Sequence, residues 1–546
     1  FFINPDSARI YIKTDSAKAG RGGFAIGGVS AWKGTPAKDI FVATADSTRI
    51  YVNADAGKAA KGGFAIGGVS TMKSGVKDIF LATVDSTKIY VSEEEAGSSK
   101  GRFSVGGRST TKGDGKNFFD VNTATTAETI INQNRILWYP QKNAFMTGRL
   151  HVENADQVGE NSFASGYESK AQGNYSQAMG YKAQALGENS TAIGNEAKAI
   201  NTNSFALGEK ATAQGIESYA FGREAKAIGQ RSFAFGSESP GGHEGGVNWE
   251  PASAPEATGS LSFAFGNGTK AEGRSSIAIG YNSIASGRFA LAMGYHCTSS
   301  GWSSTAIGSY TKAIENNSTA MGYNTTASYS GCTAMGYETM ASGFASTAMG
   351  YGTTAIDGST AMGSETTASG QESTAMGFKT TASGSWSTAM GSETTSSGTY
   401  STAMGERTNA EGWASTAMGQ YNGASGDAST AMGQFNSASG GASTAIGSAT
   451  TASGLYSIAM GRYTTASGDA STAIGNNSKA IGNSSIAIGS GTTANGESST
   501  AMGCSIKVNG AKSFGIGLND VNDSITADNT MAIMGGRVGI GTVSPD

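Results

Sequence analysis

The chain has 546 residues, of which 81 are Gly and 7 are Pro, and charged residues make up 15% of it. Gly is about twice as frequent as in average proteins, but no strict Gly-X-Y period is present, which excludes a collagen triple helix. Aromatic and aliphatic residues recur regularly, which argues against disorder, and a net charge of −4 favours neither nucleic acid nor a membrane surface as partner. The composition therefore indicates a repeat protein.

Residues 1–112 predict three β-repeats of about 40 residues each. The segment GGFAIGG occurs at 22–28 and again at 62–68, and its β-branched and aromatic residues are typical of strands. A second strand-like motif, of the type DSTRIYV, begins at Asp6, Asp46 and Asp85. Residues 113–152 are predicted to connect these repeats to a second module of matching symmetry.

The second module is built on a pentapeptide of the type STAMG, which occurs 25 times between residues 153 and 517. Its closing Gly recurs every 14 residues, except for a step of 13 from Gly350 to Gly363 and a step of 30 from Gly236 to Gly266. Frequent Gly, Ser and Thr oppose helix, whereas two short strands with two tight turns fit 14 residues. The module is therefore predicted to be an all-β parallel β-solenoid of 25 coils.

The pentapeptide also predicts where the coil and the assembly have their interiors. Side chains alternate along a strand, so the Ala of STAMG faces one way and the Met faces the other. A narrow coil admits Ala inside, which leaves a continuous apolar stripe outside, too large for a soluble monomer. We therefore expect a homotrimeric fibre in which this stripe lines the axis. The residues predicted to pack at the axis are Met321, Met349, Met376, Met404, Phe235 and Phe265.

The two irregular steps are predicted to lie in turns. A one-residue slip within a strand would exchange its two faces, whereas a turn can shorten by one residue. The 16 extra residues of the long step, approximately 240–256, are likewise predicted to form a projecting surface loop. This loop contains two candidate surface-binding residues, His243 and Trp249.

Two segments resemble known families. GENSTAIGNEAKAIN, at 187–201, is similar to the head repeats of trimeric autotransporter adhesins, although Asn201 stands where Gly is usual. This resemblance implies a left-handed parallel β-roll in a homotrimer that binds host matrix or surfaces. GRVGIGTVSPD, at 536–546, resembles the lead-in to the intramolecular chaperone domain of phage tail fibres and related bacterial fibres. Residues 518–546 are therefore interpreted as a C-terminal segment leading to a chaperone-like domain that the sequence does not include.

No residue pattern in the sequence favours an enzyme. The three His residues lie in no catalytic or metal-binding pattern, and the three Cys residues are far apart. We expect no catalytic, cofactor or metal site, and no membrane span, because no apolar run approaches about 20 residues.

Aromatic residues in one turn of several coils form a second candidate surface-binding set. Sugar binding and packing against the next chain are both open interpretations of these rings, and T-x-S steps such as Thr326/Ser328 raise ice binding as a further one. The candidates chosen from this turn are Trp302, Trp386, Tyr400 and Trp413.

The predicted function is attachment. The sequence favours an extracellular homotrimeric adhesin fibre on a bacterial cell, a virion or a phage-like tail, with a surface glycan or a protein receptor as its partner. The alternative is a purely structural shaft or spacer, such as that of a tail fibre, whose binding tip lies elsewhere.

Overall fold

The computed structural model describes residues 129–139, 142–238, 253–520 and 522–538, with Ala155 as backbone only. It also describes the backbone of ten short strand segments, at 2–4, 7–9, 41–44, 47–50, 80–83, 87–89, 102–106, 117–122, 242–244 and 247–249. The chain divides into two compact units, Phe1–Glu168 and Ser169–Asp546.

The first unit begins with three antiparallel hairpins. In each hairpin, the first strand ends before a DS motif, and the second strand begins at the Ser of that motif or at the Thr that follows it. The three hairpins combine into one six-stranded antiparallel sheet. The paired strands are Phe2–Asn4 with Ser7–Arg9, Phe41–Thr44 with Ser47–Ile50, and Phe80–Thr83 with Thr87–Ile89. The GGFAIGG segments lie outside the described residues, so the division into three repeats stays a prediction.

Four longer strands follow in this unit. Arg102–Gly106 pairs antiparallel with Asn117–Asn122, which runs parallel to Ile130–Tyr139. Ile130–Tyr139 pairs antiparallel with Ala144–Val152. A short 3-10 helix, Ala155–Gln157, precedes the strand Phe163–Tyr167.

Ala144–Val152 also pairs in parallel with Phe163–Tyr167, with Gly148 opposite Gly166. The parallel ladder therefore begins within the segment that the sequence assigns to the connector.

The second unit is a repetition of one coil. Each coil contains a long strand of three to five residues, a first turn, a short strand of two residues, and a second turn that leads to the next long strand. Every long strand pairs in parallel with the long strand of the next coil, with Ala375 opposite Ala389 and Met376 opposite Met390. The predicted fold is confirmed: the described residues form a parallel β-solenoid of about 27 coils.

The long strands of this unit form one sheet and the short strands form a second sheet. The long strands are Gln177–Tyr181, Thr191–Ile193, Phe205–Leu207, Tyr219–Phe221, Phe233–Phe235, Phe263–Phe265, Ile277–Tyr281, Leu291–Tyr295, Thr305–Ser309, Thr319–Tyr323, Thr333–Tyr337, Thr347–Tyr351, Thr360–Ser364, Thr374–Phe378, Thr388–Ser392, Thr402–Glu406, Thr416–Gln420, Thr430–Gln434, Thr444–Ser448, Ile458–Arg462, Thr472–Asn476, Ile486–Ser490, Thr500–Cys504, Phe514–Gly517 and Met531–Met534. The short strands are Lys170–Ala171, Gln184–Ala185, Lys198–Ala199, Thr212–Ala213, Lys226–Ala227, Glu256–Ala257, Lys270–Ala271, Ile284–Ala285, Thr298–Ser299, Lys312–Ala313, Thr326–Ala327, Met340–Ala341, Thr354–Ala355, Thr367–Ala368, Thr381–Ala382, Thr395–Ser396, Asn409–Ala410, Gly423–Ala424, Ser437–Ala438, Thr451–Ala452, Thr465–Ala466, Lys479–Ala480, Thr493–Ala494, Lys507–Val508 and Ser524–Ile525.

The inside of the coil is filled by small side chains, as the pentapeptide predicts. The Ala column of the long strands, from Ala178 to Ala501, is fully buried. Where large residues enter the interior, a small one compensates: Gly515 takes the Ala position, and a Cβ there would lie 2.7–2.9 Å from side-chain atoms of Val508, Ile525 and Ile506. Because protein interiors are close-packed, the cross-section of the coil limits the total volume of the side chains inside it.

The closing Gly is required by both conformation and space. At Gly377 the φ angle is +127°, and a Cβ would lie 1.9 Å from the carbonyl oxygen of Gly391 in the next coil. No L side chain fits such an approach, because it would overlap a backbone atom that is held in the ladder. This explains why the pentapeptide always ends in Gly.

The short step is accommodated in the second turn, as predicted. Met349 pairs with Met362, and Ala355 pairs with Ala368, so both strands of the shortened coil keep their register. The turn at 356–358 is one residue shorter than its neighbours. The inner and outer faces of the long strand are therefore preserved across the deletion.

The long step is accommodated in the first turn. Phe235 pairs with Phe265 across the insertion, and Lys226–Ala227 pairs with Glu256–Ala257. Within the insertion, Gly242–Glu244 and Val247–Trp249 form a small antiparallel hairpin. The predicted loop limit at residue 256 falls on the first residue of a short strand, so the ladder resumes there.

Candidate interaction surfaces

An apolar column runs along the outside of the long strands. It consists of the residues that precede each closing Gly from Met179 to Ile516, and we call it the stripe. Met321 is 37% exposed, and Phe235 and Phe265 are 47% and 43% exposed. The other predicted axis residues, Met349, Met376 and Met404, are half-buried on the same outer face.

Four coils around the insertion carry large apolar residues in two outer columns, and seven of these eight residues are aromatic. We call these eight residues the aromatic block: Phe205, Leu207, Tyr219, Phe221, Phe233, Phe235, Phe263 and Phe265. Tyr219 stacks on Phe233 with ring centroids 4.8 Å apart, and Phe235 stacks on Phe265 at 5.0 Å. Phe263 and Phe265, two residues apart in one strand, are also stacked at 6.2 Å, which places both columns on the same face.

A groove of about 670 Å³ opens beside the aromatic block. It is lined by Phe205, Tyr219 and Phe233 and by second-turn residues including Leu261 and Arg231. Arg231 Nε donates a hydrogen bond of 2.6 Å to Glu217 Oε2 at the rim. The groove lining therefore combines aromatic residues with one charged pair whose members already bond to each other.

The predicted surface-binding residues of the second turn all lie at the protein surface. Trp302, Trp386, Tyr400 and Trp413 are all exposed. Trp386 stacks on Tyr400 with centroids 5.0 Å apart, and Tyr400 meets Trp413 edge-on at 6.4 Å. Trp386 Nε1 donates a hydrogen bond of 3.1 Å to Glu372 Oε2. Adjacent coils thus bring three of the four predicted residues into one cluster.

The other two predicted binding residues, His243 and Trp249, lie on the two strands of the hairpin in the insertion. His243 pairs with Asn248, and Gly242 pairs with Trp249. Their side chains lie outside the described residues, so a role in binding stays a prediction.

A tyrosine ladder at the ends of the long strands was missed by the sequence analysis. Tyr323 stacks on Tyr337 at 4.8 Å, and Tyr337 stacks on Tyr351 at 5.1 Å. The neighbouring charge of Glu338 raises the pKa of the Tyr337 phenol. The signal was available, because Tyr directly follows the closing Gly in these coils.

Charged residues also repeat at the coil spacing. Arg407 Nε donates a 2.8 Å hydrogen bond to Glu393 Oε2, and the Arg407 guanidinium lies over the Tyr421 ring at 5.4 Å. The hydrogen bond from Arg407 lowers the pKa of the Glu393 carboxyl. Such exposed pairs contribute little to stability, but they connect successive coils along one edge.

The cysteines do not form a framework. All three are free, and Cys297 and Cys332 are completely buried inside the coil, where they take positions usually held by Thr and Ser. Among the described residues, no cluster of three or more His, Cys, Asp or Glu could hold a metal ion. A search of the same residues finds no helix of the length and hydropathy needed to cross a membrane.

The two-strand coil, the Ala interior and the outer stripe define a fibrous repeat protein of the β-solenoid class. The chain belongs to the family described as YadA head domain repeat (2 copies), whose matches cover more than half of its length. The matched segments are 158–183, 178–197, 185–211, 213–239, 257–283, 271–296, 299–325, 313–339, 357–380, 368–394, 382–406, 396–422, 410–437, 424–450, 438–464, 452–478 and 480–503. No curated protein matches the chain. The resemblance to adhesin head repeats is confirmed, and that of residues 536–546 to a chaperone lead-in stays a prediction.

Proposed function

We propose that the chain forms a homotrimeric adhesin fibre on a bacterial surface. The observation that carries this proposal is the unbroken stripe, which is exposed or half-buried in the single chain over more than 300 residues, from Met179 to Ile516. A continuous apolar patch of this length needs a cover, and copies of the same stripe around one axis provide it. Adhesins with these head repeats form homotrimers, which supports the proposal.

The second-turn edge is the proposed contact with the receptor. Trp386 and Tyr400 are stacked on each other, so the ring faces between them are not free for a sugar ring. The second turns of the coils between residues 341 and 428 contain Asp357, Glu372, Glu411 and Asp427 but no Lys or Arg. Aromatic edges beside carboxylates favour a protein receptor with a basic surface over a glycan.

The experiment compares two sets of turn variants in the full chain. Variant one replaces Trp302, Trp386, Tyr400 and Trp413 by Ser. The matched control replaces by Ser four tyrosines at or just after the ends of long strands: Tyr310, Tyr323, Tyr337 and Tyr351. We expect sedimentation to give about three times 55.1 kDa for all three proteins. Binding to a panel of immobilised matrix proteins should fall at least tenfold for variant one alone.

The alternative, a structural shaft, predicts a different result. A shaft would assemble as a trimer, but the parent chain would bind no member of either a matrix-protein panel or a glycan array. Selective binding of glycans that survives in 1 M NaCl would contradict the basic-protein partner, because salt screens exposed charge pairs strongly. Attachment to a cell or to a phage-like tail is a further part of the proposal, and labelling of intact bacteria with an antibody against the chain tests it.

A further inference from the structure

A long run of equivalent coils gives a trimer no unique axial alignment. From Thr319 to Met432, nine successive coils present the same two outward residues, Thr and Met, on the long strand. Each strand pairs with the next in the same register, as Thr374 with Thr388 and Met376 with Met390. Moving one chain along the axis by a whole coil would therefore place Thr on Thr and Met on Met, with the same contacts inside this tract.

The aromatic block differs most from these equivalent coils. Its four coils carry an aromatic residue in the outer column that holds Thr in the uniform tract, and the coils on either side carry Thr191 and Ile277 there. A chain displaced by a coil would place an aromatic ring of the block opposite a smaller side chain at each end. Because aromatic pairs are favourable beyond the area they bury, each mismatch has a cost.

The groove beside the block supplies the space for a neighbour. It is lined by Phe205, Tyr219 and Phe233 and also by Leu261, a bulky residue that is 47% exposed and has a φ angle of +59°. The rim charges Arg231 and Glu217 are paired with each other, so an apolar group can enter without leaving them unpaired. The block and its groove together form an apolar surface that is wider than the stripe elsewhere.

We propose that the aromatic block docks onto a second copy of this chain and sets the axial register of the trimer, whereas the rest of the stripe supplies uniform affinity. This inference rests on the proposed trimer. Its partner is the equivalent block of the neighbouring chain, because only that segment matches its width and aromatic content along the described stripe.

The test uses disulfide cross-linking between full-length chains in a Cys504→Ser background. Met376→Cys and Met404→Cys lie two coils apart, so in register they are separated by about 10 Å along the axis, beyond the 6.8 Å Cα reach of a disulfide. Parent chains carrying one or other substitution are assembled as a mixture. We expect cross-links between identical positions and none between Met376→Cys and Met404→Cys chains.

Two variants then remove or move the column of the block that occupies the Thr positions of the uniform coils. In the first, Phe205, Tyr219, Phe233 and Phe263 become Thr, the residue of the uniform coils, and we expect same-position cross-links to fall at least twofold while mixed cross-links appear. In the second, Phe205→Thr and Tyr219→Thr are combined with Ile277→Phe and Leu291→Phe, which moves the block's column of aromatic residues at the Thr positions by two coils. Parent Met376→Cys should then cross-link to shifted Met404→Cys, and the reverse combination should not.

A control removes four exposed rings elsewhere, by replacing Trp302, Phe344, Trp413 and Tyr456 with Ser, and should keep the parent pattern. The inference is overturned if both block variants retain same-position cross-links alone, or if the Thr variant keeps folded coils but becomes a monomer. A parent chain that sediments as a monomer would instead refute the trimer itself. Mass and cross-linking pattern therefore separate the two failures.

Discussion

Replacing Met321 by Asp tests the trimer axis against a matched methionine on the other sheet. Met321 lies in the stripe and is 37% exposed, whereas Met340 lies on the short strand Met340–Ala341 and is 42% exposed. The two residues have the same chemistry and nearly the same exposure in the single chain. The two residues differ only in the face of the coil on which they lie. Comparing the two substitutions therefore shows whether the long-strand face is buried at a trimer axis while the short-strand face stays in solvent.

The magnitude follows from the exposure. Complete burial of a Met side chain contributes about 1.5–3 kcal/mol, so covering the third of Met321 that remains exposed contributes about 0.5–1 kcal/mol per chain. This is small, and Met321→Ala should therefore leave the trimer intact. Aspartate is different, because three carboxylates would meet at one axis. Each must lose water or take up a proton, and protonation at pH 7 costs about 4 kcal/mol for a group of pKa 3.9.

Sedimentation velocity at pH 7 and pH 4 measures the effect. We expect Met321→Asp to dissociate or to weaken at least a hundredfold at pH 7, and Met340→Asp to behave as the parent. Burial raises the pKa of an aspartate, so its neutral form is favoured as the pH falls, and assembly of Met321→Asp should recover towards pH 4. Dissociation of Met340→Asp together with an intact Met321→Asp trimer would refute the assignment of the axis to the long-strand face.

Four further predictions concern the coil and its insertion. Gly377→Ala should lower Tm by several degrees in calorimetry, because its Cβ would meet Gly391, whereas Gly423→Ala, whose Cβ would have nothing within 4 Å, should leave Tm unchanged or slightly raised. Native alkylation followed by mass spectrometry should modify Cys504 and spare Cys297 and Cys332, which are completely buried, and burial also raises the pKa of the Cys332 thiol; modification of Cys332 before unfolding would contradict its position. Deleting residues 239–254 restores a 14-residue coil, so thermal stability should stay nearly unchanged; a lower Tm without loss of binding would instead indicate a buttress between chains. Residues 153–517 should measure about 120 Å in electron micrographs, since 25 coils rise about 4.8 Å each, and a globular particle would exclude this.

The repeat made the fold predictable, because a period of 14 leaves few choices for strands and faces. The Ala and Met columns, the shortened turn and the resumed ladder at Phe263 all follow from alternation along a strand and from the fixed step. The hairpin inside the insertion did not follow, because a single copy of PGGHEGGVNWEP has no period to reveal its pairing. The tyrosines were visible in the sequence, but the pentapeptide ends at the closing Gly and does not reveal that a long strand such as Thr333–Tyr337 continues past it.

The left-handed backbone conformation of the turn residues also escaped prediction, for a physical reason. Each regular coil has a left-handed residue in both turns, and these positions hold Glu, Lys, Trp, Tyr and Ala as well as Asn and Gly. Trp386, with a φ angle of +55°, donates its backbone N–H to Gln371 O in the preceding coil at 2.7 Å, and Lys379, at +51°, donates to Ser364 O at 2.9 Å. Left-handed strain in an ordinary residue costs about 1–2 kcal/mol, but here each residue extends the hydrogen-bond ladder through the turn. Because stacking fixes the turn backbone, its side chains are free to vary, and this freedom allows the second turns to hold an acidic and aromatic edge on an otherwise repetitive coil.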